Sequence, residues 1–245
     1  IGIILFLAAY ISSKSREMRQ WKKMVIPFLF AIPIIVIVGI ENLSTCIILL
    51  AISFIMIFVA TPLWVPFVVI GLIGVAGAGG LLLTQGYRME RITVWLDPAA
   101  SEKGHQTIQG LYAIGSGGLF GKGLGQSMQK LGFLPEANND MIFSVICEEL
   151  GLFGALCVLA LFFALIWRFM VIAVNAPDLY GSMIVVGVIA HIGIQVFINI
   201  AVATNTIPNT GIPLPFISYG GSSLVFMLLE MGLVLSVSRY INVKK

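Results

Sequence analysis

Six apolar runs, at residues 25–40, 43–60, 63–86, 141–167, 182–202 and 223–238, decide what this chain can become. A helix rises about 1.5 Å per residue and the hydrocarbon of a bilayer is about 30 Å thick, so each run is near the length of one crossing. Backbone N–H and C=O groups find no water in lipid, which leaves the helix as the form these runs take. Only 10% of the residues are charged, against about a quarter in a soluble domain, and 59% are hydrophobic. The expected fold is all-α: a polytopic transmembrane helical bundle, one integral membrane domain over residues 1–245 with about six full spans. Residues 1–11 are apolar but too short to cross, so the chain is expected to open inside a partial N-terminal span.

Charge orients the runs. Residues 13–24 carry Lys14, Arg16, Arg19, Lys22 and Lys23 against a single acid, Glu17, with Trp21 as an interface anchor. Basic loops stay in the cytoplasm, which places this one inside. Three crossings later the chain is outside, so residues 87–140 form a large extracytoplasmic loop and 203–222 a second outer one. Nine basic residues then fall inside and five outside, namely Arg88, Arg91, Lys103, Lys122 and Lys130. In a chain of this class a net charge of +3 gives no ground for a nucleic-acid partner. Cys46, Cys147 and Cys157 lie in apolar runs, with neither metal-ligand spacing nor a disulfide framework. Gly71, Gly74, Gly77, Gly79 and Gly80 suit close helix packing.

The polar residues that interrupt this apolar background are the candidates for chemistry. In the outer loop, residues 115–125 hold six glycines around Lys122, yet Ser116 stands where a Walker motif needs its first glycine and Gly123 follows the lysine. What remains is a loop whose backbone can approach an anion, with Lys122, Arg88, Arg91 and Lys130 near enough in sequence to neutralise a diphosphate. A plain flexible loop has the same spacing. Asp140 stands just before the fourth run, where it is either a helix cap or a site carboxylate. Ser144 and Glu148 follow at four-residue steps on one helical face, with Glu148 roughly 12 Å deeper. A deep acid is expensive in lipid, so Glu148 and its neighbour Glu149 are expected to face protein, a watery cavity or a cation. His191, Gln195 and Asn199 repeat the four-residue step on the next run, and Glu230 adds an acid to the last. Together they are expected to wall a hydrophilic cavity opening outward, capped by the proline-rich 203–222 loop with Ser218 and Tyr219. Hydrogen bonding between helices, with no ligand, is the alternative.

Three ordered motifs carry a resemblance. They are Gly115-Ser116-Gly117-Gly118 with Gly121-Lys122-Gly123-Leu124-Gly125, the run from Leu134-Pro135-Glu136 through Asp140 to Glu148-Glu149-Leu150-Gly151, and Pro213-Leu214-Pro215-Phe216-Ile217-Ser218-Tyr219-Gly220-Gly221-Ser222-Ser223. They resemble the FtsW/RodA/SpoVE, or SEDS, proteins of bacterial cell-wall synthesis over essentially the whole chain. Arg88, Arg91 and Asp97-Pro98 resemble the start of that family's large outer loop. Asn138 and Asn139 stand where many relatives have His and Thr, and the family's Gln-Pro-Ser-Glu segment would fall before Ile1. On this resemblance about three to four N-terminal helices precede the chain.

The resemblance implies a multi-pass protein of the bacterial cytoplasmic membrane, active on its outer side, that polymerises lipid II. It implies a class B penicillin-binding protein and other divisome or elongasome membrane proteins as partners. Asp140 matches the family's essential aspartate, and Glu136 in the same motif joins Arg88, Arg91, Lys122 and Lys130 as a substrate-binding candidate. Lipid II is α-linked to undecaprenyl diphosphate and the glycan is β-1,4-linked, so the transfer inverts and needs one base. Asp140 would take the proton of the acceptor 4-hydroxyl. Lys122, Arg88 or a divalent cation, Mg or Mn, would neutralise the diphosphate. Two other classes use the same features: a flippase for a lipid-linked saccharide, and a non-catalytic scaffold for the penicillin-binding protein.

Overall fold

A computed structural model describes residues 1–15, 20–61, 71, 86–101 and 104–241, with the side chains of 21–23 and 86–89 left aside. Its elements are helices α1 (Gly2–Ser13), α2 (Trp21–Glu41), α3 (Leu43–Ala60), α4 (Gly86–Leu96), α5 (His105–Gly117), α6 (Ile142–Val174), α7 (Leu179–Ala203) and α8 (Gly221–Arg239). Short 3-10 turns occupy Pro98–Ala100 and Gln129–Leu131, and there is no strand among the described residues. The all-α expectation holds.

Five of these helices, α2, α3, α6, α7 and α8, are long and apolar enough to cross a membrane. Each matches an expected run to within a few residues at its start, while α6 runs further than expected at its end. The run at 63–86 lies outside the described residues apart from Gly71 and Gly86. Large apolar side chains point outward along the spans, with Ile37 66% and Phe163 70% exposed. Such surfaces are stable only against lipid or protein, so the chain is a multi-pass membrane protein.

The described residues fall into two compact units. One comprises Ile1–Val75, Leu165–Ile194 and Val225–Lys245. In it, Asn42 alone separates α2 from α3 and caps α3, its Oδ1 accepting from Thr45 N–H at 3.0 Å. Pro27 and Pro33 sit inside α2. α7 meets α1 and α3 at Gly187, where an added Cβ would lie 2.5 Å from Ile4 and 3.0 Å from Met56 Sδ. Small-residue packing is thus real here. The stretch 72–80, for which it was expected, lies outside the described residues.

The second unit comprises Ala76–Ala164 and Gln195–Leu224. It holds most of the residues singled out for chemistry. The expected outer loop is not simply loop: α4 and α5 form within it, because Glu90, Arg91, Val94 and Trp95 on α4, and Gln106 and Thr107 on α5, recur at helical spacing and share one cavity. Leu134, Ala137, Met141, Val145 and Val202 make a small buried core under the turn that leads into α6.

Candidate active site

Asp140 is 6% exposed, and its carboxylate lines a cavity of about 450 Å³ in the second unit. Gln106 Nε2 donates to its Oδ1 at 3.4 Å, and Asn209 Nδ2 in turn donates to Gln106 Oε1 at 3.1 Å. Arg91 donates to the Asn209 carbonyl at 3.3 Å, and Trp95 Nε1 to the Asn205 carbonyl at 3.0 Å. One wall therefore comes from α4, a second from α5, and a third from the 203–222 loop. The floor is the turn before α6. Three acids line the cavity, Glu90, Glu136 and Asp140, against one cation, Arg91.

Burial holds the Asp140 carboxyl above the ordinary carboxylate value, and the negative charge of Glu136 adds to the rise. Bonds from its own backbone N–H, Asn209 and Gln106 work in the other direction. The net effect is a more basic aspartate than one in water. Glu136 itself adopts φ 53, a left-handed conformation uncommon for a residue with a side chain, and its carboxylate accepts from Asn139 Nδ2. Such conformations persist where the surroundings over-determine them.

Glu148 and Glu149, expected toward a cavity or a cation, both meet cations. Glu148 is fully buried, 0% exposed. Its carboxylate accepts from Lys122 Nζ at 2.7 Å, Ser127 Oγ at 2.5 Å, Gln129 N–H at 3.3 Å and Ser116 Oγ at 3.4 Å. Glu149 accepts from Lys130 Nζ at 2.5 Å and Ser127 N–H at 3.4 Å. The two acids face the 116–130 segment, not water. Lys122 and Lys130, read from sequence as diphosphate ligands, are engaged by them, and neither lines the Asp140 cavity.

The glycines of this segment dock it against α6. Helix α6 breaks at Gly151, which takes φ 69. In an unbroken helix Leu152 and Phe153 N–H would donate to the Glu148 and Glu149 carbonyls. Here they donate instead to the Gly118 and Leu119 carbonyls at 2.9 and 3.0 Å, while Lys122 and Gly123 N–H fill the Glu148 and Glu149 carbonyls at 2.9 Å each. The loop is spliced into the helix's own ladder. A Cβ on Gly117 would lie 1.9 Å from the Cys147 carbonyl oxygen, and one on Gly121 would lie 2.2 Å from that of Glu149. Backbone docking at this distance is what the glycines allow.

The remaining candidates separate. His191 Nδ1 lies 2.9 Å from both oxygens of Glu230, a residue 1% exposed, and joins α7 to α8 in the first unit. Asn199, in the second unit, donates to the Asp140 carbonyl at 2.8 Å and to the Ile212 carbonyl at 2.9 Å. Gln195 and Ser144 are buried, Ser144 beside Gly110. His191 and Asn199 thus join elements, in keeping with the interhelical alternative, and Asn199 reaches the turn that carries Asp140. Ser218 Oγ donates to the Asn139 carbonyl at 2.6 Å, and Tyr219 is exposed nearby. The Arg88 side chain lies outside the described residues. Sequence reasoning missed Glu90, Trp95 and Gln106, whose signal was the amphipathic spacing of α4 and α5 inside what was read as loop, and Asn209, which lies in the 203–222 loop with no such spacing. Among the described residues no three His, Cys, Asp or Glu side chains group closely enough to hold a metal ion.

Comparison with known proteins gives concordant results. The family model FTSW_RODA_SPOVE, described as "Cell cycle protein", matches residues 1–243. Stage V sporulation protein E of Bacillus subtilis (strain 168) is 47% identical over 98% of this chain and 67% of its own length. The probable peptidoglycan glycosyltransferase FtsW of Geobacter sp. (strain M18) is 35% identical over 97% of this chain and 66% of its own. The chain thus spans about two thirds of the length of these relatives. Among solved structures, a chain from "Structural coordination of polymerization and crosslinking by a peptidoglycan synthase complex" aligns with TM-score 0.78 at 26% identity, over 99% of this chain and 69% of that one. The rod shape determining protein RodA of Thermus thermophilus aligns with TM-score 0.62 at 26% identity, over 98% of this chain and 65% of that one.

Proposed function

This chain belongs to the FtsW/RodA/SpoVE family, and from that premise we propose that it forms the site-bearing part of a peptidoglycan glycosyltransferase polymerising lipid II on the outer face of the cytoplasmic membrane. The observation that carries the reading is the Asp140 carboxylate, buried in a polar cavity and held by Gln106. Asp140 accepts the proton of the acceptor GlcNAc 4-hydroxyl as that oxygen attacks C1 of the donor sugar. The new C1–O bond forms as the bond to the diphosphate breaks, and the diphosphate oxygen leaves with the electron pair. No second carboxyl group has to protonate it, because a diphosphate leaves as an anion. Trp95 supplies an apolar face for a sugar ring in the same cavity, and Arg91 a positive charge.

Arg91 faces three acids, so a diphosphate entering here needs more positive charge than the lining supplies. We propose that a divalent cation, Mg or Mn, would take that role bound mainly by the diphosphate it enters with, since no three acids among the described residues group closely enough to hold it alone. Polymerisation is then lost on chelation and restored by either ion; an unaffected rate removes the metal from the reading. A class B penicillin-binding protein is the proposed partner. Its support is the structural likeness to a chain of a complex that couples polymerisation to crosslinking.

The deciding measurement is glycan polymerisation from lipid II by the full-length protein with its transpeptidase, wild type beside Asp140→Asn. Removing a general base is expected to lower the rate at least about 100-fold. Equal polymer from both proteins, each folded and partner-bound, would refute Asp140 as the base.

A further inference from the structure

Three consecutive carbonyls before α6 are each held by a different donor. Asn138 O accepts from Tyr219 N–H at 2.8 Å, Asn139 O from Ser218 Oγ at 2.6 Å, and Asp140 O from Asn199 Nδ2 at 2.8 Å. Residues 138–140 are therefore a fixed partition, and their side chains leave it toward two different spaces. Asp140 lines the cavity already described. Asn138 lines a second one of about 500 Å³, with Ile142, Ile217, Tyr219 and Leu224. The two cavities share no lining residue.

The second cavity has a specific chemical character. Tyr219 is 82% exposed, yet its backbone is anchored by the bond to Asn138, so an open aromatic ring stands on a fixed support. Ser218 accepts from Leu214 N–H at 2.7 Å and donates to Asn139, which leaves the Asn138 amide and the Tyr219 hydroxyl to meet a ligand. No charged side chain lines the cavity, so a diphosphate has no counter-charge there. A purely apolar chain would leave the Asn138 amide unmatched. A pyranose matches every group: its C–H face packs on an aromatic ring, and its hydroxyls and acetamido groups bond an amide.

We propose that this second cavity binds an uncharged sugar of the growing glycan strand, displaced along the strand from the bond being made at Asp140. The proposal rests on the reading of the chain as a glycan polymerase. It gives Tyr219 and Asn138 a role in holding the strand between successive additions, and Asp140 none in that hold.

The test is binding of a β-1,4-linked GlcNAc tetrasaccharide, free of lipid and diphosphate, to the full-length protein in nanodiscs, read by saturation-transfer NMR beside the length of glycan made from lipid II. Wild type, Asp140→Asn and Tyr219→Phe are expected to bind it. Tyr219→Ala is expected to bind about tenfold more weakly, the scale of a lost aromatic contact, and to make shorter strands. Equal binding by Tyr219→Ala, or none by wild type, overturns the proposal. So does Tyr219-dependent binding of undecaprenyl phosphate in place of the saccharide. Normal polymerisation by Asp140→Asn would refute the base and leave the saccharide result to stand or fall by itself.

Discussion

At Asp140 burial and ionisation oppose one another. Its carboxyl is held above the ordinary aspartate value, chiefly by desolvation, so the acid limb of the pH–rate profile is expected above that of a free aspartate. Glu136 adds to the rise, and Glu136→Gln is therefore expected to move the limb downward. An unmoved limb would mean that another group sets it. The stability sign follows from the same direction. A folded-state value above the unfolded one means that the native state holds the extra proton in the window above 3.8, so this group's contribution falls as pH rises through that window. At neutral pH the buried charge is a cost, and Asp140→Asn is expected to unfold at the same temperature as wild type or higher. A clearly lower melting temperature would show that the carboxylate stabilises the fold and would undo the burial argument. Asp140 was legible in sequence as a candidate from an acid at the mouth of an apolar run. Its alternative as a helix cap was equally legible, and what favours the site reading is Gln106, 34 positions away, whose meeting with Asp140 no local pattern records.

The break in α6 shows what pattern reading cannot see at the level of an element. Gly151 lies inside an apolar run, where a glycine usually costs about 1 kcal/mol and leaves the helix intact. The helix opens because a segment some 30 residues earlier supplies the missing donors and acceptors, and hydropathy holds no record of that exchange. For the same reason the glycine-rich loop read as an anion-approaching or a plain flexible loop, and its role as backbone partner for a broken helix left no mark in the spacing. Gly151→Ala and Gly121→Ala each put a side chain on positive φ, and their Cβ atoms would lie 2.4 and 2.2 Å from backbone atoms. Each is expected to destabilise the protein by about 2 kcal/mol or more and to reduce polymerisation with Asp140 untouched. Gly232→Ala, whose Cβ meets nothing within 4 Å, is the control expected to leave melting unchanged. Wild-type melting in the first two variants would mean the splice carries no stability. The five described spans were legible to within a few residues at their starts, since burying or lipid-facing an apolar run is a local demand. The contrast with the splice is between what one segment requires and what two segments exchange.

For the whole molecule the open question is which face the site occupies, and charge provides the argument. By the positive-inside rule the basic 13–24 loop is expected in the cytoplasm, and counting spans from it, the exposed turn that begins at Asn175 is expected there too and the segment carrying Lys122 and Lys130 outside. The 87–140 loop holds five basic residues against this rule, as a long loop can, because it crosses largely regardless of its charge. Single cysteines can decide it in a background where Cys46, Cys147 and Cys157 are replaced. Leu124→Cys, at an exposed position in the spliced segment, is expected to react with a membrane-impermeant maleimide in intact cells. Asn175→Cys is expected to react only after the membrane is opened. The reverse pattern would put the Asp140 cavity in the cytoplasm, where a glycan polymer has no wall to join, and would favour a reading in which the cavity receives the lipid-linked saccharide before it crosses. Labelling of both positions from outside would break the span count between residues 124 and 175, and with it the assignment of α6 as one crossing despite its break.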